Sequence, residues 1–273
     1  MADVSFGQYY PSSSFVHKCD PRTKLLFLIV YIVAIFLAKS FYALGACALV
    51  FAVIACISGV PFKSLLRSVK AILFLLLFTV ILNLFFRRAK EGETVLWSWW
   101  IIEFTMQSVY ATIFLVVRLF LLVLGSAILT LTTTPVALTD GIESLLSPLK
   151  LLRIPVHVLA LIVSIALRFI PILTDETARI MNAQKARGAD FETGGLIKRV
   201  KSIVPVLFPL IISAFRRADE LGDAMDARCY SGSTVRTKYK KLIFTWRDAI
   251  ALFVGAALLA GVILLKIYTP AIV

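Results

Sequence analysis

No two cysteines of this chain form a CxxC pair: the four, at 19, 47, 56 and 229, are scattered, and histidine occurs only at 17 and 157. Neither a structural zinc site nor a disulfide framework can be assembled from ligands so few and so dispersed. Cys47 and Cys56 sit inside apolar runs and read as small packing side chains. Also missing are GxxxxGK(S/T), HExxH and GxSxG, which removes P-loop nucleotide binding, zincin chemistry and a nucleophile elbow from the candidate activities. Gly194-Gly195 lacks the rest of a phosphate loop. Asp175-Glu176 and Asp219-Glu220 stand in no recognisable catalytic setting and read as capping or solvated-face residues. Charge is scarce as well, at 16% of residues, and with 60% hydrophobic side chains, 20 of them Phe, a water-soluble globule is excluded.

What the chain has instead is long apolar runs. A membrane-spanning helix takes roughly 20 mainly apolar residues, because lipid offers backbone groups no partner and a helix satisfies its own. Five stretches approach this: 25–38, 41–57, 71–86, 109–131 and 249–265. The first is short, but Lys24 and Lys39 flank it and can snorkel. The first apolar run follows a polar segment and ends in no small-residue cleavage site, so no cleaved signal peptide is expected. Asp20 is the predicted N-cap of the first helix, with Pro21 at its first position.

The formal charge of +13 suggests nucleic-acid binding only until its distribution is considered. Residues 132–247 hold 17 of the 29 Lys/Arg and 10 of the 16 Asp/Glu, a mixed-charge region rather than a bare cationic arm. The positive-inside tendency then places the N-terminus and 132–247 in the cytoplasm, and the 87–108 loop and the C-terminus outside. "WSWW" at 97–100 reads as an interfacial aromatic belt. The predicted organisation is a cytoplasmic segment 1–24, transmembrane helices 1–4 over 25–131, a cytoplasmic or membrane-proximal module 132–247, and a last span within 248–273. Arg118 interrupts the fourth span and is a candidate for an intramolecular or partner contact, since an arginine at membrane depth needs a partner or a route to the headgroups.

The module begins with an amphipathic helix, Leu138, Ile142, Leu145 and Leu149 recurring at helical spacing. Two long segments follow. Each opens apolar, the first with Arg168 and Pro171, the second with Pro205 and Pro209, and each becomes amphipathic. In the second, Ile211, Ala214, Phe215, Ala218, Leu221 and Met225 share one face while Arg216, Arg217, Asp219, Glu220 and Asp223 lie largely elsewhere. Membrane-proximal helices are favoured over a sixth and seventh span, because 203–212 is too short to cross alone. The segments end alike: "NAQKARGAD" is echoed 41 residues later by "DAMDARCYS". One reading is two capped helices, stopped by Gly188 and by Gly232, each with an arginine complementing the negative helix end. The other starts from Ala183, Ala186, Ala224 and Ala227, which are small enough for a second protein to approach, and from an arginine beside them that offers five donors. On this reading the two ends are plugs for two similar sockets.

In order and spacing, "VHKCDPRTKLL", "LTTTP", "GIESLLSPLK", "ALRFIPILTDETARIMNAQKARGAD", "FPLIISAFRRADELGDAMDARCYSG" and "VRT" resemble the transmembrane T component (EcfT/CbiQ-like) of energy-coupling factor importers, a family that includes the T subunits of cobalt and nickel uptake systems. The resemblance implies an all-α membrane protein of about five transmembrane helices plus a cytoplasmic coupling module whose two long helices cross. It also implies a non-catalytic scaffold in a prokaryotic cell membrane. Its partners would be two ABC-type ATPases, a homologous pair or a homodimer, that bind the ATP and Mg, and one small hydrophobic substrate-binding membrane subunit. No cofactor, metal or nucleic acid is expected on the chain itself. Carried over, the ATPase-coupling residues are Ala186, Arg187 and Gly188, a full match, and Ala227, Arg228 and Cys229, where cysteine replaces the usual glycine and puts helix termination there in question. Arg118, Arg168, Asp175, Glu176, Arg217, Asp219 and Glu220 are candidates for structural or coupling support. Vitamin import through interchangeable binding subunits is the expected use, a dedicated cobalt or nickel importer the alternative, and an intramembrane enzyme or secondary carrier the reading from other classes.

Overall fold

The computed structural model describes residues 9–70, 72–86, 95–99, 102–148, 156–191, 195–230 and 242–268. These carry nine helices, α1 Pro21–Leu37, α2 Phe41–Ser58, α3 Phe62–Lys70, α4 Leu73–Phe86, α5 Met106–Thr132, α6 Pro135–Leu145, α7 Val156–Ala186, α8 Leu196–Ala227 and α9 Trp246–Tyr268, and one antiparallel hairpin, β1 Val95–Trp99 with β2 Ile102–Thr105. The chain divides into two compact units, Leu146–Lys241 with the first six residues, and Gly7–Leu145 with Leu242–Val273. The all-α fold class read from the sequence holds, with the hairpin as an addition.

In the larger unit α1 is central, packed by α9, α5, α6 and α2. Its helix starts as its sequence dictates: the Asp20 carboxylate accepts the Arg22 N–H at 2.9 Å, and Pro21 occupies the first turn, where no intrahelical donor is needed. Tyr31, Ala34, Ile35 and Ala38 from α1 meet Ala43, Leu44 and Cys47 from α2, Phe114 and Leu121 from α5, and Leu258 and Val262 from α9 in one core. Small residues make this approach possible. A Cβ on Gly125 of α5 would stand 2.6 Å from the Tyr31 ring, so glycine is the residue that lets this aromatic lie against the helix backbone. The outer faces stay apolar and exposed, Phe74 at 80% and Phe253 at 74%, as surfaces that lipid rather than water covers.

Among the described residues four helices are long and apolar enough to cross a membrane: α2, α5, α7 and α9. The α3–α4 pair, bent by 56°, would be a fifth if taken as one span. Two differences from the sequence reading follow. The 71–86 run forms the 14-residue α4, about 21 Å long at 1.5 Å per residue, preceded by the amphipathic α3, which buries Leu65 and Val69. The α7 helix, favoured from sequence as membrane-proximal, qualifies as a span by length and composition, since Pro171 leaves its 31 residues continuous. At 17 residues α1 is about 25 Å long, shorter than a hydrocarbon core of about 30 Å.

Three helix ends are tied together at one end of this unit. Asp248, fully buried in the first turn of α9, accepts the Thr245 N–H at 2.8 Å, as the acid of a capping box does, and with its other oxygen accepts the Asp20 N–H at 2.8 Å. Lys24 donates to the Thr132 carbonyl at 2.9 Å, the Thr133 hydroxyl at 3.3 Å and the His17 carbonyl at 3.3 Å, placing a cation on the C-terminus of α5. The N-terminal segment lies against the same place: the Tyr10 N–H donates to Leu131 O at 2.9 Å, and the Phe15 ring meets Trp246 edge-on at 5.8 Å. The starts of α1 and α9 and the end of α5 thus share one side, as the predicted alternation of spans requires.

The smaller unit is formed by α7 and α8 packed on one another. The face of α8 differs from the sequence reading. Val206 is buried and Leu210, Ala214, Arg217, Leu221 and Met225 are half-buried, while Ile211, Phe215 and Ala218 are exposed, Phe215 at 69%. The covered positions recur at steps of four and three and so form one helix face that includes Arg217, and the apolar run is wide enough to leave a second, open face.

Candidate coupling site

Both Ala-Arg motifs are the C-terminal ends of the two long helices, and the two ends share one backbone geometry. At the end of α7 the Gly188 N–H donates to Lys185 O at 3.0 Å and the Ala189 N–H to Gln184 O at 2.9 Å, with Gly188 at φ 89°. At the end of α8 the Cys229 N–H donates to Asp226 O at 2.8 Å and the Tyr230 N–H to Met225 O at 3.0 Å, with Cys229 at φ 58°. Each is a Schellman motif, in which a left-handed residue reverses the chain and its two amides satisfy the last open carbonyls. The substitution at 229 therefore does not remove the turn. Cysteine takes the left-handed conformation itself, and Gly232, offered from sequence as the stop, lies outside the described residues, as does "VRT". At both ends the arginine is the residue just before the reversal, so Arg187 and Arg228 are held at equivalent places on a fixed backbone. Both are exposed, as are Ala183, Ala186, Ala224, Ala227, Gly188 and Cys229.

Between the helices Arg217 Nη2 stands 3.7 Å from Glu176 Oε2. These positions are 41 apart, the spacing that also relates Arg187 to Arg228, and each arginine tip lies 11 residues past its own member of the pair. Half-buried residues recur in step beyond it, Ile180 and Gln184 on α7, Leu221 and Met225 on α8. The pair thus joins equivalent positions of an internal repeat, and the two ends are arms of equal length. The signal lay in the sequence: at a 41-residue offset, acid faces base at 176 and 217.

The remaining supporting residues are dispersed. Asp175, Asp219 and Glu220 are exposed, and Arg168 is exposed two turns before Glu176 on α7. Arg118 is in the other unit, where its Nη2 donates to the carbonyl of Ala38, the C-cap of α1, and its guanidinium lies 4.7 Å above the Phe114 ring. The candidate contact in the fourth span is therefore intramolecular. It meets a need set by α1, which ends early and would leave a carbonyl without a donor. Sequence reasoning did not find Asp248, and it read Lys24 as a snorkelling flank of the first span where the structure makes it a donor to the end of α5. His17, beside Lys24, has its pKa lowered, first by burial and also by the lysine charge. Its Nε2–H donates to Tyr10 O at 2.9 Å, and Nδ1 lies 2.7 Å from the Ser14 hydroxyl.

These features define a class, a multi-pass helical membrane protein that carries a pair of equivalent, arginine-tipped helix ends. Residues 12–239 match the family model described as cobalt transport protein. The chain is 46% identical over 264 residues to the energy-coupling factor transporter transmembrane protein EcfT of Ruminiclostridium cellulolyticum, covering 97% of each chain. It is 47% identical over 262 residues to that of Brevibacillus brevis, covering 94% of this chain and 96% of the relative, and 43% identical to that of Bacillus subtilis, covering 95% and 98%. The chain belongs to the EcfT/CbiQ family of energy-coupling factor transporter transmembrane proteins. It is a non-enzymatic, scaffolding and energy-coupling subunit, and the enzyme and secondary-carrier readings fall away.

Proposed function

We propose that this chain couples two cytoplasmic ABC-type ATPases to a separate substrate-binding membrane subunit, with Ala186-Arg187-Gly188 entering a groove on one ATPase and Ala227-Arg228-Cys229 a groove on the other. The observation that carries the reading is the repetition of one geometry, two Schellman-terminated ends equally far from the Glu176–Arg217 pair. Exposed alanines around each arginine leave room for close approach, and the guanidinium supplies five donors to carboxylates or carbonyls of the groove. ATP and Mg belong to the ATPases. Their closure moves the two ends, and the open apolar face of α8, with Leu207, Phe208, Ile211 and Phe215, gives the substrate-binding subunit an aliphatic and aromatic surface that does not depend on fixed ion pairs. Vitamins or related micronutrients are the cargo in this reading. The description of the matching family model favours cobalt as the second.

The test is copurification. Arg187→Ala and Arg228→Ala each weaken ATPase retention, by about 2 to 5 kcal/mol if carboxylates are left unpaired. The double variant is far worse, because the two contacts raise each other's effective concentration. Wild-type retention of both ATPases by the double variant would sink the proposal. Liposomes holding this chain, the ATPases and one added binding subunit should take up that subunit's vitamin. ATP-driven uptake by this chain and its ATPases without an added subunit would refute the division of labour, and uptake of cobalt or nickel through one dedicated added subunit supports the second reading.

A further inference from the structure

The two arms share length, backbone reversal and arginine, and differ in charge. Beyond the Glu176–Arg217 pair, residues 177–190 carry Arg179, Lys185 and Arg187 against Asp190, a net +2; residues 218–230 carry Asp219, Glu220, Asp223 and Asp226 against Arg228, a net −3. All of these side chains are exposed. The contrast falls on equivalent positions. At the 41-residue offset Arg179 corresponds to Glu220 and Lys185 to Asp226, a reversal of sign each time. Lys185 and Asp226 stand two residues before the tip arginine, about 3 Å along the helix axis and on the opposite side of the helix from it, so a groove that encloses the tip meets each of them with its far wall. At physiological salt the screening length is about 8 Å, and charges at the rim of such a groove act at full strength only on what they touch.

We propose that arm charge decides which groove each end enters: the α7 end docks in a groove with an acidic rim, the α8 end in one with a basic rim, and Arg179, Lys185, Glu220 and Asp226 are the residues that assign them. A single type of groove cannot serve both ends equally. A rim that attracts Lys185 repels Asp226, and charge complementarity of this kind sets partner choice and orientation more than affinity. The tip arginines, common to both arms, hold the ATPases without distinguishing them. The inference rests on the proposed ATPase docking and adds the rule by which the two dockings are told apart.

The test uses the chain copurified with its ATPases, in a Cys56→Ser background. A thiol-directed photo-crosslinker is attached, in a chain that also carries Cys229→Gly, either through N182C or through D223C, exposed and equivalent at the 41-residue offset and outside both tip motifs, and the captured polypeptide is identified by mass spectrometry. In the otherwise wild-type arms each position should capture a different ATPase surface, with at least a ten-fold preference. The exchange R179E/K185D/E220R/D226K, which leaves both tips and the Glu176–Arg217 pair intact, should invert that preference. Should the fourfold variant fail to assemble, the neutral pair K185Q/D226N serves: its preference should fall several-fold, as should that of the wild type when salt is raised to about 0.5 M and the screening length drops toward 3 Å. Equal capture at both positions, or a preference unmoved by exchange, neutralisation and salt, overturns the assignment while leaving ATPase docking in place. Failure of the wild-type chain to retain any ATPase overturns the docking itself, and this inference with it.

Discussion

The backbone N–H of Asp20 and the carboxylate of Asp248 meet at 2.8 Å across 228 positions of sequence, so that one buried acid serves the N-termini of two helices, α1 and α9. Each N-terminus presents open donors and the positive end of a helix dipole. Truncation to Asp248→Ala strands the Asp20 and Thr245 amides, and hydrogen bonds to a charged group contribute about 1.5 to 3 kcal/mol each. We expect a loss of about 3 kcal/mol or more, read as a lower melting temperature in detergent, with a smaller loss for Asp248→Asn, which keeps an acceptor. Equal stability of all three chains would disprove a shared cap.

Arg118 offers a second measurement in the same bundle. Arg118→Leu keeps the bulk and removes the donor to Ala38, leaving the end of α1 unsatisfied at a cost of about 2 kcal/mol. Arg118→Lys should recover part of it. A leucine variant as stable as the parent would mean that the carbonyl finds another donor.

At the α8 tip the left-handed Cys229 carries steric strain of about 1 kcal/mol that glycine avoids. Cys229→Gly should therefore raise hydrogen-exchange protection at the Tyr230 amide about five-fold, and Gly188→Ala should lower that of Ala189 by a similar factor. Opposite signs would contradict the paired Schellman ends.

The N-terminal segment should respond to acid through His17. Its folded pKa is lowered from 6.5, so the unfolded state binds the proton more readily, and stability present above about pH 6.5 is lost as pH falls toward the folded value. Melting temperatures measured between pH 7.5 and 5 should fall for the wild type and less for His17→Gln. Identical pH dependence in the two would remove His17 from the account.

Orientation is open to labelling from outside intact cells, in a chain with Cys56 and Cys229 replaced. Met106→Cys, at the start of α5, should react, and Ser147→Cys, just past α6, should react only after permeabilisation. The reverse pattern would invert the topology.

The features set by neighbouring residues were legible in the sequence. Asp20-Pro21 announces the start of α1, and the apolar runs mark α2, α5 and α9 to within a few residues. The ends of α7 and α8 could be read because Ala-Arg is repeated locally. Features joining distant positions were not. Asp248 resembles an ordinary first-turn acid until α1 is placed beside it, and Arg118 gives no sign that its partner is a backbone carbonyl 80 residues away. The hairpin at 95–105 was hidden behind its tryptophans, which suggest an interfacial belt equally well. At α8 the apolar run spans more than one face, so its hydrophobic pattern did not fix which stripe α7 covers.

The equal lengths of helix between the Glu176–Arg217 pair and the two tips carry a mechanical consequence. Eleven residues of helix make a moment arm of about 16 Å, so a rotation of about 10° about the contact sweeps a tip through about 3 Å, the same for α7 as for α8. A half-exposed ion pair of 3.7 Å contributes on the order of 0 to 1 kcal/mol. Were the helices to turn about this contact, the pair would stand where displacement is least and offer little resistance, and neither tip would gain leverage over the other.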